Sequence, residues 1–442
     1  MNRARGPTSQ AGALDAELPN RCYSGDVMRA AVSRRSFLRS SALAAAGTLT
    51  CGSSAFAAQR RPPLVSRYSD LRRHFLFEYY PWYRNDPWEH WPEGGHHPPA
   101  DFGSNFVPAL GLYDSRSTAV MERHARWIAD AGVGAIDVSW WGPDSNVNEV
   151  IPTLMDVMKA HDVHVAFYVE PYVDDHARNY ARDVMYLIKN YGDRRHWDCF
   201  LLHEYEDGTT GPVFKSFRTI LPDTSTDCHG VTTPVADYAA DDVWRRQTDT
   251  VRQTLRNDFE RVTLLADSLH VGRTQAGGFD GIALFDNYVS PDTWRLHADN
   301  CTARNLVFSF QVNPGFDSII FPHPEPDTCY KPPAFSPGGG VYDWTRAADR
   351  ATAQDASRSR IVESFKTTVA LQTSPALSNA KKGFFLVYIN SFNEWHEGHQ
   401  FEPAKDRAQL TAAERALGLH NPDQGSYRLD TLRDLLRDVI SQ

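Results

Sequence analysis

The chain has 442 residues, 41% hydrophobic and 12% aromatic, with a formal charge of −9. That length exceeds one small domain and suits a single large barrel with insertions. Beyond residue 57 there are 39 Lys and Arg against 52 Asp and Glu, a formal −13, which argues against a polyanionic partner such as nucleic acid and suits a neutral substrate.

The first predicted element is an export signal. Ser33-Arg34-Arg35-Ser36-Phe37-Leu38 has the order of a twin-arginine motif, and an apolar stretch over 42–49 and the small-residue site Ala55-Phe56-Ala57 follow it. Such a signal sits close to its start codon, so Met28 is the expected start and 1–57 the extension plus signal peptide. Thr48-Leu49-Thr50 before Cys51 is a poor lipoprotein signature. The expectation is a periplasmic or secreted protein that meets the twin-arginine export machinery and carries no membrane span.

From 66 to 442, short apolar runs alternate with amphipathic stretches, the pattern of βα units around a parallel sheet. Strands are predicted at 74–80, 134–141, 164–172, 211–219, 262–268, 281–288, 305–312 and 383–391. Helices are predicted at 117–131, 147–161, 175–191, 241–259, 346–371 and 428–440. Eight strands with helices between them make a single-domain (β/α)8 TIM barrel with long active-site loops the economical fold. The segment 314–340 is too long for a plain connection and is expected to shape a cleft wall. Cys199 with Cys228 and Cys301 with Cys329 are candidate disulfides for an oxidising compartment; four buried thiols is the equal alternative.

The predicted strand ends carry the chemistry. The first ends Glu78-Tyr79-Tyr80-Pro81-Trp82-Tyr83, the second Ser139-Trp140-Trp141-Gly142-Pro143, the third Glu170-Pro171-Tyr172. The last runs into Asn393-Glu394-Trp395-His396-Glu397-Gly398-His399-Gln400. Barrel enzymes place catalytic groups at this edge. Sugars offer apolar C–H faces and a rim of hydroxyls, which flat aromatics and carboxylates match. A single Trp is more often core than ligand. Trp82, Trp141 and Trp395 all follow strands at one edge, so together they point to a binding cleft, which the loop 86–103 is expected to cap.

Glu394 and Glu397, three residues apart, provide the carboxylate pair for acid/base work on a glycosidic bond. A solvated surface pair is the bland alternative, disfavoured because both follow a buried strand. His396 and His399 are also three apart, not the four of a zincin helix, and a Gly lies between them, so no catalytic metal is expected. No Gly-x-Ser-x-Gly elbow occurs.

With these residues assembled, the chain resembles glycoside hydrolase family 99, the endo-α-1,2-mannosidases and mannanases. The resemblance rests on Tyr79 through Tyr83, His97 through Phe106, Gly132 through Pro143, Phe167 through Tyr172, Gly278 through Ile282, Pro314 through Asp317, and, most specifically, Ser391 through Ala404. It implies a (β/α)8 barrel without metal or cofactor, an α-mannoside substrate in a polysaccharide or N-glycan, and retained anomeric configuration. Glu394 is then the base on the substrate 2-hydroxyl, giving a 1,2-anhydro sugar, and Glu397 the acid, which needs a raised pKa. Glu170 matches a position holding substrate hydroxyls, and Trp141 one that leans toward mannan. Tyr80, Trp82, Tyr288, Trp395 and His396 complete the expected substrate contacts. Tyr168 replaces a family His, the stretch Ala283 to Tyr288 replaces an aromatic run, and Phe321-Pro322-His323-Pro324 replaces an Arg-Pro-Trp-Asn-like stretch. Another α-linked glycan, or a sugar-binding barrel without activity, therefore stand as the competing readings.

Overall fold

The computed structural model describes residues 61–192, 197–227, 229–285, 289–318 and 342–441. The expected signal peptide, Tyr288, Cys228, Cys329 and the stretch 321–324 lie outside them.

Eight parallel strands form the barrel: β1 Phe75–Tyr79, β2 Ala135–Trp140, β3 His164–Val169, β4 Thr210–Ser216, β5 Thr263–Ala266, β6 Gly281–Ala283, β7 Val307–Ser309 and β8 Val387–Ile389. From β1 to β7 each strand pairs with the next, and β1 pairs with β8 in the register Phe75↔Val387. Between β7 and β8 a parallel bridge, Val312↔Ile389, brings the ends together. There Val312 N–H donates to Tyr388 O at 3.0 Å and Asn390 N–H to Val312 O at 2.9 Å. All eight expected strands are present.

The two-residue period of a strand sorts the side chains. Phe75, Phe77 and Tyr79 of β1, Ile136, Val138 and Trp140 of β2, and Val165, Phe167 and Val169 of β3 join the cluster that also contains the helix residues. The alternate residues Leu76, Ala135, Ala166 and Val213 form a separate buried cluster inside the barrel with Leu265, Ala283, Val307 and Tyr388. Two residues further along the same strands come Glu78, Asp137, Tyr168 and Lys215, all buried. Two further still come Tyr80, Ser139 and Glu170. The interior is thus an apolar floor, a charged middle layer and a polar mouth.

The helices are α1 Thr118–Asp130, α2 Asn146–Ala160, α3 His176–Leu187, α4 Asp241–Leu255, α5 Val271–Ala276, α6 Pro291–Ala303, α7 Ala347–Thr373 and α8 Tyr427–Ile440, with short turns besides. In α1 the buried residues Met121, His124, Ala125 and Ile128 recur at helical spacing and face the strands. Ser145 caps α2 by accepting from Asn148 N–H. Helix α5, with six residues, and α6, which buries Trp294, Ala298 and Cys301 in an otherwise polar run, were not among the expected elements. Nor was the strand Leu202–Glu204, which pairs antiparallel with β4. Cys199 and Cys301 are buried and free among the described residues; the partners expected for them, Cys228 and Cys329, lie outside these.

Candidate active site

The segment after β8 is fastened to β1 by backbone mimicry. Asn393 Oδ1 accepts from Tyr80 N–H at 2.8 Å, and its Nδ2 donates to Tyr80 O at 2.9 Å. Phe392 N–H donates to Glu78 O at 2.8 Å. From the far side, the buried Arg428 of α8 donates through Nη1 to Gly398 O and Gln400 O, both at 2.9 Å. Asp317 N–H donates to Glu397 O at 3.0 Å. Two carboxylates are therefore carried on a loop held from several elements, which is what precise placement requires.

Glu394 is almost fully buried. Its N–H donates to Ser391 Oγ at 2.8 Å and its Oε1 accepts from His396 N–H at 3.1 Å. Burial, and then the charges of Glu397 and Glu93, push its carboxyl well above the usual range, against the pull of the His396 N–H. Glu397 keeps a quarter of its side chain exposed, and its Oε2 lies 2.8 Å from Nε2 of the buried His399. Burial falls more heavily on Glu394 than on Glu397, which stands nearer the solvent side of the loop. The phenol of Tyr80 ties the site together. After burial, its pKa is raised by the charges of Glu78, Glu394, Glu170 and Glu397, so the phenol feels all four carboxylates.

Glu170, at the end of β3, is buried, and its Oε1 accepts from Ser139 Oγ at 2.8 Å. Trp141 Nε1 donates to the same Ser139 Oγ at 2.9 Å, so one serine sets both the carboxyl and the indole. Burial lifts Glu170 to about 8, only partly offset by the Ser139 hydroxyl. Its Oε2, the Tyr168 hydroxyl and His399 Nδ1 are buried without hydrogen-bond partners among the described residues. Buried polar atoms without partners are costly, and a hydroxyl-rich ligand can satisfy them.

The aromatic side of the site is formed by half-buried Trp82 and Trp141, whose rings lie 6.1 Å apart at 45°. Trp82 also stacks on His90 at 4.5 Å and on His396 at 6.1 Å. His90 belongs to the loop 86–103, which thus reaches the mouth as expected. Trp395 is the exception. It is fully buried, with Nε1 donating to Glu402 Oε2 at 3.0 Å and its N–H to Tyr83 OH at 3.0 Å. It packs with Tyr83, Trp91, Phe106 and Tyr113 and offers no face to a sugar, so its role is to anchor the loop between the two glutamates.

His396 and His399 do not converge on one point. His396 Nδ1 lies 3.1 Å from Glu93 Oε2, whereas His399 turns to Glu397. The sequence reading missed Glu93, Ser139, His399 and the middle layer of the barrel. There Lys215 Nζ is ion-paired with Glu78, which also accepts from Gln311 Nε2. The Lys215 ammonium lies 4.2 Å from the centre of the Tyr168 ring and 4.9 Å from that of Tyr388. Burial drives Asp137 well above the usual carboxylate range, against the pull of Lys215.

Carboxylates facing aromatic rings at the C-terminal mouth of a parallel barrel define a glycoside hydrolase. The family description "Glycosyl hydrolase family 99" matches residues 71–207. The glycoprotein endo-alpha-1,2-mannosidase of Mus musculus is 28% identical over 363 residues, spanning 74% of this chain and 67% of that protein. The mouse glycoprotein endo-alpha-1,2-mannosidase-like protein is 26% identical over 407 residues, spanning 85% and 77%. The structure of the GH99 endo-alpha-mannosidase from Bacteroides thetaiotaomicron superposes with a TM-score of 0.58 at 21% identity, covering 84% of this chain and 99% of that one, and shares the fold. Over residues 71–207, and along most of its length in these relatives, the chain is similar to glycoside hydrolase family 99.

Proposed function

We propose that the protein is a retaining, endo-acting glycosidase that cleaves internal α-1,2-mannosidic linkages in mannan or mannose-rich glycans. The observation that carries this reading is that Glu394 and Glu397 lie three residues apart on one loop pinned by Asn393 and Arg428, with His396 between them stacked on Trp82. The mannoside substrate rests on the relatives, which are endo-α-1,2-mannosidases by name.

In an α-mannoside the 2-hydroxyl lies trans to the leaving oxygen. Glu394 takes the proton of that hydroxyl, O2 attacks C1 from behind, and the C1–O bond breaks as Glu397 protonates the departing sugar. The product is a 1,2-anhydro sugar and a free chain end. Glu397, now a carboxylate, takes a proton from water, the water oxygen attacks C1, and the C1–O2 bond opens as Glu394 returns its proton to O2. Two inversions give net retention without an enzyme nucleophile, so the usual spacing rule for retaining carboxylates does not govern the pair.

The electrostatics support this division. Two close carboxylates share protons as a unit. A proton on Glu397 removes the largest charge that raises Glu394, so ionisation of the buried residue becomes easier when its neighbour is the acid. Burial also makes the Glu394 carboxylate a stronger base than one in water, which suits a hydroxyl proton. Glu170 and Trp141, set by Ser139, are assigned to substrate hydroxyls and a sugar face, with Tyr80, Trp82, His396 and Tyr288 as further contacts. Export through the twin-arginine pathway is part of the proposal and rests on Ser33 through Leu38 and Ala55-Phe56-Ala57.

A second reading, cleavage of another α-linked glycan, is favoured by one observation. Tyr168, which stands where the resemblance implies His, brings an unpartnered hydroxyl next to Glu170. Incubation with α-1,6-mannan bearing α-1,2 branches, with a glucosylated N-glycan and with unrelated α-glucans separates the two. Release of short mannosides supports the first; cleavage of an α-glucan alone replaces it with the second.

A further inference from the structure

At the rim of the cleft, beside Glu394, three donor groups converge that the proposed chemistry does not need together. His90 Nδ1 and His396 Nδ1 approach the same oxygen of Glu93, Oε2, at 3.6 and 3.1 Å. One ligand atom from each of the three residues lies within 4.8 Å of the others. We propose that His90, Glu93 and His396 form a binding site for a first-row divalent cation of the zinc class.

The geometry fits that ion with small adjustments. Zinc bonds of about 2.0–2.2 Å at tetrahedral angles put neighbouring ligand atoms roughly 3.3–3.5 Å apart. The two distances to Glu93 bracket that range. Two imidazoles and one carboxylate are a donor set that zinc, cobalt and nickel favour over magnesium or calcium, which take mainly oxygen. Three protein ligands leave the fourth position open, and the His90 and Glu93 side chains are partly exposed, so the ion has a path in.

The donors are also held. His396 is buried, stacked on Trp82 and edge-on to Tyr83 at 5.3 Å. His90 adopts a left-handed backbone, φ 60°, which a residue with a Cβ seldom takes up, and this conformation accompanies a ring stacked on Trp82 at 4.5 Å. The Trp82 indole therefore supports both imidazoles.

The site is distinct from the acid/base pair yet adjacent to it, since His396 Nδ1 lies 3.6 Å from Glu394 Oε1. A cation there adds positive charge beside Glu394 without supplying any step of hydrolysis. The site does not depend on which glycan is the substrate.

The purified protein, stripped with a chelator, is titrated with Zn2+ by calorimetry and with Co2+ by visible absorption. One ion per chain is expected, with a Co2+ ligand-field spectrum that Zn2+ displaces. Glu93→Gln, which is nearly isosteric, and His90→Ala should each weaken binding by more than about tenfold, the scale of losing a metal ligand or its support. His97→Ala, in the same loop, should bind as the parent does. Melting curves confirm that each variant is folded, and Glu93→Gln carries the test if His90→Ala is not. No binding by the parent, or equal binding by parent and Glu93→Gln, overturns the proposal.

Discussion

His399 Nε2 lies 2.8 Å from Glu397 Oε2, with the imidazole fully buried and the carboxylate partly open to solvent. The ring is held by Phe316 at 6.1 Å and Phe285 at 6.0 Å, so it fixes where one carboxylate oxygen points. His399→Ala should lower kcat at least about tenfold, toward the lower end of what a misplaced acid/base group costs, with little change in KM. His399→Gln, whose amide can approach the same oxygen, should recover part of the loss. Equal kcat for His399→Ala and the parent would remove the positioning role.

Glu170 gives a pH test. Burial raises its folded pKa to about 8, from an ordinary value near 4.5. The folded state thus holds a proton that the unfolded chain has released, and its contribution to stability falls as pH rises from about 4.5 to about 8. At about 1.4 kcal/mol per pKa unit the loss is on the order of a few kcal/mol. Glu170→Gln cannot ionise, so its Tm relative to the parent should climb across that window and level off above it. A difference that stays flat with pH would mean that Glu170 is not held neutral.

Lys215, wholly buried in the middle barrel layer, is ion-paired with Glu78 and pulls on Asp137. Lys215→Met leaves Glu78 without its counter-charge, and breaking a buried pair from one side costs about 3–5 kcal/mol. The deficit should shrink at low pH, where Glu78 takes up a proton instead. Denaturant unfolding at acid and neutral pH reads both effects. A variant as stable as the parent at neutral pH would contradict them.

Gly398 sits between Glu397, the proposed acid, and His399 at φ 71°, where a Cβ would lie 2.0 Å from Asp317 O. Both the backbone angle and the contact exclude a side chain. Gly398→Ala should lower stability by roughly 1–3 kcal/mol and reduce kcat as the loop shifts. Unchanged Tm and kcat would show that the loop can relax around the methyl group.

Much of this architecture is legible in the sequence. The barrel strands announce themselves because both faces are buried, so runs such as Phe384 through Ile389 are apolar throughout. The final loop is legible because its residues are adjacent in the chain. Other parts are not. Trp140 and Trp141 are neighbours, but the strand pleat sends one among the helices, where its Nε1 meets Asn148, and the other to the mouth. Trp395 reads like Trp82 until the fold shows it beneath the loop. Lys215 reads as a polar residue on a strand, because only closure of the barrel places it against Glu78, 137 positions away. Glu93 and His396 meet across 303 positions, a distance that no local pattern bridges. Helix α6 was missed because its few apolar residues are diluted by charge.

The central claim is that Glu394 and Glu397 act on one anomeric carbon with different tasks. The most direct test is the rate of Glu397→Gln on a natural mannoside and on the matching glycosyl fluoride, with Glu394→Gln measured beside it. The fluoride leaves without needing a proton. Glu397→Gln should lose about 10²–10⁴-fold on the natural linkage and much less on the fluoride, while Glu394→Gln fails on both because the 2-hydroxyl is not activated. Equal losses of Glu397→Gln on the two substrates, or a parental rate for Glu394→Gln, would contradict the account.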